Sequence, residues 1–129
     1  MRFIDKPVEP EHLSPLNLAF IGDCVYDMLV REALVTAANR PVNDLHRECV
    51  KYVSAKAQTV AYSKIEPLLT EEEKSVFRRG RNAKTGHTPK SASQGEYHTA
   101  TGVEALFGWL YLTENADRIK ELFNAIWEE

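Results

Sequence analysis

Two carboxylates sit where a helix buried against its neighbours would ordinarily carry apolar or small residues. Asp23 lies in LNLAFIGDCVYDMLVREALV and Glu104 in GVEALFGWLYL. Each has a glycine near it, Gly22 and Gly108. A helical glycine costs about 1 kcal/mol relative to alanine, and a buried unpaired carboxylate costs more. Gly22 and Gly108 remove side chains and so permit close helix approach. If the two helices pack side by side, Asp23 and Glu104 can meet across the seam. Two close carboxylates either share a proton or hold a cation. For a hard cation such as Mg²⁺, one or two protein carboxylates with waters and a substrate phosphate form a common coordination set. The competing reading leaves each acid at the rim of its apolar face, solvated. Asp27 follows Asp23 by four residues on the same face and either stands behind it or pairs with Arg31, a further four residues on.

Other chemistries find little support. The histidines His12, His46, His87 and His98 show no HxxxH or HxH spacing, and no His-Asp dipeptide occurs. There is no GxSxG, P-loop or GxGxxG, which leaves nucleophilic-serine and nucleotide-binding chemistry without a local motif. Cys24 and Cys49 have no CxxC spacing and read as reduced, small apolar residues of a cytoplasmic protein. Glu71 to Glu73 suit a helix N-terminus better than a metal site.

Charge is distributed unevenly. The chain carries a net charge of -3, yet residues 74–90 hold Lys74, Arg78, Arg79, Arg81, Lys84 and Lys90 and no acid. That segment is +6 and the remainder -9. Concentrated basic charge on a mildly acidic protein points to a local polyanion site. Arginines and lysines spaced irregularly over a helix end and a glycine-containing loop suit phosphate contacts, which position a nucleic acid without reading its bases. A solvated surface loop is the alternative.

The elements that position these residues are helical throughout. Residues 1–13 read as an extended arm containing Pro7 and Pro10. Ser14-Pro15 starts a helix, and Leu16, Phe20, Ile21, Cys24, Val25, Met28, Leu29, Leu34 and Val35 carry its apolar pattern to about Ala38. Asn39-Arg40-Pro41 breaks it. A second helix, capped by Asn43, carries Leu45, Cys49, Val50, Val53, Ala57, Val60 and Ala61 and ends before Pro67. Thr70 and Glu73 form a capping box for a third, with Gly80 as its stop. Residues 81–97 lack periodicity and read as a long loop, either functional or disordered. A fourth helix spans about His98 to Leu112. A last one, capped by Asn115, carries Ile119, Leu122, Phe123, Ile126 and Trp127. No alternating strand pattern, repeat or second domain is visible, so the expected fold is a single all-α domain of about five to seven helices.

Composition agrees with that. At 129 residues, 43% hydrophobic and 27% charged, the chain fits one soluble core. No apolar run approaches the roughly 20 residues that span a bilayer, and MRFIDKPVEPEH lacks the apolar stretch of a secretory signal. The apolar helices, including Trp109 and the Tyr111 region, carry more apolar surface than one small core would bury, an indirect pointer to a dimer.

Three stretches together resemble a known family. FIGDCVYDMLVREAL resembles the signature helix of ribonuclease III, TATGVEALFGWLYL looks like a late helix of its short relatives, and GRNAKTGHTPK is similar to a loop of that same short group, the bacterial Mini-III ribonucleases. The similarity runs from about Leu13 to Trp127. It implies a ribonuclease III catalytic domain without an appended double-stranded-RNA-binding domain. It also implies a Mg²⁺-dependent endoribonuclease that cuts double-stranded RNA to leave 5′-phosphate and 3′-hydroxyl ends. Asp23 and Glu104 fall on the family's metal-binding catalytic acids. Full-length ribonuclease III has further acids at the positions of Ala19 and Thr101, so this site has two carboxylates, not four. Arg78, Arg79, Arg81, Lys84 and Lys90 would supply the RNA grip. The resemblance further implies a homodimer and a role in maturing the ends of large-subunit (23S) ribosomal RNA precursors. Loss of two acids leaves a rival open, a non-catalytic double-stranded-RNA-binding module that keeps the fold; a helical protein-interaction domain is a second.

Overall fold

The computed structural model describes residues 1–84 and 92–127, and within them every regular element is helical. Ser14 accepts a hydrogen bond from the Asn17 amide and Pro15 takes the first helical position, so the start signal read from the sequence operates. Helix α1 spans Pro15–Ala37, α2 Val42–Val53, α3 Ala55–Ile65, α4 Glu71–Arg81, α5 Gln94–Leu112 and α6 Ala116–Ile126. Short 3-10 turns lie at Pro10–His12, within the N-terminal arm, and at Glu66–Leu68. No helix among the described residues is long and apolar enough to cross a membrane.

Helix α5 is the central rod. It packs against α1, α3, α4 and α6, and its residues from Ala100 to Leu110 are buried apart from Glu104 and Trp109, which are partly so. Tyr26 of α1 meets Phe107 of α5 and Phe123 of α6 edge-on, with ring centroids 5.3 and 6.2 Å apart. Tyr62 of α3 stacks on Phe77 of α4 at 3.9 Å. Such aromatic pairs add to the burial of their large apolar area.

Several boundaries differ from expectation. The expected second helix is two, α2 and α3. Ser54 breaks it in extended conformation, and its hydroxyl accepts the Ala57 amide as a fresh N-cap. The apolar period runs on across the break, which hides it from a reading by periodicity. Asn43 lies inside α2, whose cap position is Pro41. Gly80 does not stop α4: a Cβ there would lie 2.7 Å from the Ala105 side chain and 3.0 Å from the Gly102 backbone, so it serves close packing on α5. Helix α5 starts four residues early, at a capping box between Ser93 and Glu96, so the loop expected over 81–97 is shorter at both ends. Residues 85–91 of it, including Lys90 and His87, lie outside the described residues.

The buried face of α1 also differs. Leu18, Gly22, Val25, Tyr26, Val30 and Leu34 face the core. Leu16, Phe20, Met28 and Val35, expected to share the apolar face, are exposed, Phe20 by 85%. Cys24 is exposed as well, while Cys49 is buried. Helix α1 therefore has two apolar stripes, and Leu16, Phe20, Cys24 and Met28, spaced by four, form the outer one. Trp109 and Tyr111 are packed against the core, and the exposed apolar side chains lie on α1 and the arm, with others, among them Val42, Val50 and Val60, on α2 and α3.

Glu73 joins α4 to α6. It is 4% exposed. Its carboxylate accepts from Arg118 Nε and Nη2, both at 2.8 Å, and closes the Thr70 capping box by accepting from the Thr70 amide at 2.9 Å. Arg118 also donates to the Leu68 carbonyl at 2.7 Å. Burial would raise the Glu73 carboxyl, but the Arg118 fork and the Thr70 bonds outweigh it and hold the group below the ordinary carboxylate value.

Candidate active site

Helices α1 and α5 cross backbone to backbone. A Cβ on Gly22 would lie 1.6 Å from the Glu104 carbonyl oxygen and 2.8 Å from the Gly108 nitrogen. One on Gly108 would lie 2.0 Å from the Leu18 carbonyl oxygen. The two glycines thus form one crossing point that no other residue type fits. Asp23 follows Gly22 directly, and Glu104 stands one turn before Gly108, so the crossing sets the separation of the two acids.

The carboxyls of Asp23 and Glu104 come close enough across this crossing to perturb one another. Burial, then the charge of Asp23, pushes the Glu104 carboxyl up to about 7. Asp23 is more open to solvent. Its carboxyl is also raised, by burial and the neighbouring charge of Asp27, against the opposing interaction with Glu104. Two acids that perturb each other in this way fit a shared proton or a bound cation. The Tyr26 hydroxyl is raised by burial and by Glu104 nearby.

Asp27 accepts from Arg31 Nε at 3.0 Å and from the Cys49 thiol at 3.4 Å, which makes it a bridge to α2. Burial, with Asp27 beside it, pushes the Cys49 thiol up. Ala19 and Thr101 are buried, and the Thr101 hydroxyl donates to the Tyr97 carbonyl at 3.0 Å; neither adds a charge. Gln58 of α3, which the sequence reading passed over, is 2% exposed and donates through Nε2 to Glu104 Oε2 at 3.1 Å. Its one sequence signal is a long polar side chain among the apolar positions Val53, Ala57 and Ala61. The exposed grouping of Glu9, Glu11 and His12 stands on the N-terminal arm.

The basic residues gather at the C-terminal end of α4. Gly80 seats α4 against Thr101, Gly102 and Ala105, the turn of α5 that carries Glu104. Arg78, Arg79, Arg81 and Lys84 are exposed there, with no acidic partner among the described residues. Arg81 lies over the Phe77 ring at 5.7 Å, and Arg79 reaches the Leu13 carbonyl at 3.5 Å.

This all-α domain falls in the ribonuclease III class. The sequence pattern of the Ribonuclease III domain matches residues 16–115. A Mini-ribonuclease 3 of Thermoanaerobacter is 53% identical over 110 residues, covering 85% of this chain and 78% of the relative. One from Symbiobacterium thermophilum is 48% identical over 116 residues, 90% of this chain and 89% of its own length. A crystal structure of a protein from Fusobacterium nucleatum superposes with a TM-score of 0.84 at 30% identity, covering 92% of this chain and 98% of that one. The chain therefore belongs to the ribonuclease III family, in its Mini-ribonuclease 3 branch, and is an endoribonuclease of that type.

Proposed function

We propose that the protein is a divalent-metal-dependent endonuclease for double-stranded RNA, with Asp23 and Glu104 as the catalytic and metal-binding acids and Mg²⁺ as the metal. The observation that carries this reading is the interacting carboxyl pair set by the glycine crossing. Its donor set, two carboxylates on rigid helices with Asp23 open to water, fits a hard cation that keeps several waters and takes a substrate phosphate. When bound, Mg²⁺ activates a water against the phosphodiester and stabilises charge on the leaving oxygen, giving 5′-phosphate and 3′-hydroxyl ends. The protein's part is to hold both acids in fixed relation, with the Glu104 carboxyl deprotonated to serve as a ligand. No protein nucleophile is required.

Arg78, Arg79, Arg81, Lys84 and Lys90 form the RNA grip. A-form duplexes are recognised through shape and backbone, and exposed guanidinium groups on the helix end packed against the Glu104 turn suit phosphates near the cut. A second copy is the partner for the outer stripe of α1, where Leu16, Phe20 and Met28 stand exposed with Phe3 and Ile4 of the arm. A homodimer would place two sites to cut opposite strands. In this reading the protein acts in the cytoplasm on stems at the ends of 23S ribosomal RNA precursors.

Cleavage of a long RNA duplex, with and without Mg²⁺, tests the reading. Wild type should cut only with the metal. Asp23→Asn and Glu104→Gln should each abolish cutting with helix content intact. Near-normal turnover by either variant at ordinary Mg²⁺ would reject the assignment. Duplex binding without cutting by the wild type would favour the non-catalytic module.

A further inference from the structure

The carboxamide of Gln58 is held in one orientation. Nε2 donates to the Val53 carbonyl at 3.0 Å and to Glu104 Oε2 at 3.1 Å, which uses both of its hydrogens. A backbone carbonyl can only accept, so Val53 prevents the amide from turning over. The other end, Oε1, is buried and has no hydrogen-bond partner. Leaving a buried acceptor unsatisfied costs on the order of 1–3 kcal/mol. For the core alone, an apolar residue of the same size would serve as well or better. What the amide adds is a fixed donor on one oxygen of the Glu104 carboxylate.

Glu104 has three side-chain torsions, and α5 fixes only where they begin. With Oε2 tied to Gln58, rotation is stopped and the remaining oxygen is left for the interaction with Asp23. The anchor itself is rigid: Val53 ends α2, and Gln58 lies in the first turn of α3 behind the Ser54 cap. The break between α2 and α3 therefore has a consequence at the site, since it leaves the Val53 carbonyl free to accept from a side chain.

We infer that Gln58 is a positioning residue for the metal site: its amide, anchored on the Val53 carbonyl, clamps one oxygen of Glu104 and leaves the other to pair with Asp23 around a divalent cation. The inference rests on the proposed metal-binding role of that pair. Groups that orient a metal ligand from behind commonly set affinity by 10–100-fold. Gln58→Leu keeps the volume and removes the donor. Gln58→Asn keeps the amide but is one methylene too short to reach both acceptors.

The test is direct binding of Mn²⁺, followed by electron paramagnetic resonance, to the RNA-free protein. Circular dichroism melts of the metal-free variants and Mg²⁺ titrations of cleavage accompany it. Gln58→Leu should weaken Mn²⁺ binding by about 10–100-fold and move the Mg²⁺ midpoint of cleavage upward by a similar factor. Its metal-free melting temperature should stay within a few degrees of wild type or rise, which a purely structural role would not allow. Should the leucine variant not fold, Gln58→Asn supplies the same comparison. Wild-type Mn²⁺ affinity in a folded variant overturns the inference, and so does loss of the fold in both variants. Asp23→Asn separates the two levels. If it binds Mn²⁺ like wild type, the metal reading itself is wrong; if it loses Mn²⁺ while Gln58→Leu keeps it, only the role of Gln58 fails.

Discussion

Replacing Gly22 by alanine adds one methyl group at the point where α1 and α5 touch. That methyl carbon would stand 1.6 Å from the Glu104 carbonyl oxygen and 2.6 Å from its carbon, where ordinary contact begins at 3.4 Å. Both atoms belong to helical backbone, so no side chain can turn aside, and the helices must part by about 1.8 Å. Two effects oppose each other. Alanine is a better helix former by about 1 kcal/mol. Prising apart a close-packed seam costs typically 1–3 kcal/mol and occasionally more; here the displaced atoms lie on the central helix, so the upper end applies. The net loss should be about 2 kcal/mol or more, or roughly 5–10 °C in melting temperature for a chain of this size. Activity should fall further than stability. The clash is with the backbone of Glu104 itself, one residue from Asp23 on the facing helix, and a displacement of about 1 Å at a reacting group can cost about 10²-fold. Thermal melts by circular dichroism and duplex cleavage at a temperature where the variant is folded measure the two effects. Gly95→Ala is the internal control, because a Cβ there meets nothing within 4 Å; it should stabilise the first turn of α5 by up to about 1 kcal/mol and leave cleavage alone. A Gly22→Ala protein that melts and cleaves like wild type would refute the crossing as the device that spaces the acids.

Four further outcomes follow from the same structure. Replacing Arg78, Arg79, Arg81, Lys84 and Lys90 together by Gln, in an Asp23→Asn background, should weaken duplex binding and flatten its log–log salt dependence by about 0.9 per lost phosphate contact if the duplex behaves like B-form DNA; parallel slopes would leave the basic segment a solvated surface. Sedimentation should show a dimer at micromolar concentration, and Phe20→Asp should shift it towards monomer; an unchanged assembly would move the interface elsewhere. The Glu73 pair stabilises above the ordinary carboxylate value and is lost as pH falls through the lower folded value, so Arg118→Met, which strands a buried carboxylate at a cost of about 3 kcal/mol, should narrow its deficit towards acid pH in chemical-denaturation curves. Glu104 has the opposite sign: its folded value, raised to about 7, makes the metal-free fold lose stability as pH rises from the ordinary value towards 7, and Glu104→Gln should remove that part of the slope.

The parts of the molecule written in local chemistry were legible in the sequence. Ser14-Pro15 and the Thr70–Glu73 capping box act through neighbours three residues away, so their signal needs no knowledge of the rest of the chain. Asp23 and Glu104 stood out because a charge within an apolar helical pattern contradicts that pattern. Features set by tertiary contacts were not. Gly80 has the same signature as a helix stop, and only the arrival of Gly102 and Ala105 makes it a packing position. Ser54 caps a helix inside an unbroken apolar period. The choice between the two apolar stripes of α1 depends on which side α5 occupies. Gln58 was missed for the same reason: its partner Glu104 is 46 residues away, and no spacing within one helix points to it.

The crossing also fixes how the two acids act on one another. A carboxylate pair brought together by loops can relax by moving apart. One brought together by backbone contact between two long helices cannot, and burial, then the charge of Asp23, pushes the Glu104 carboxyl up to about 7. A third or fourth acid at Ala19 or Thr101 would sit in buried positions on those same two helices and add to a repulsion that the metal-free fold already bears. Alanine and a threonine tied back to the Tyr97 carbonyl relieve it at the expense of ligands. In the proposed reading a divalent cation then does for the pair what the proton does in its absence. Metal binding and proton release are linked, so affinity should climb with pH up to about 7 and level off above it.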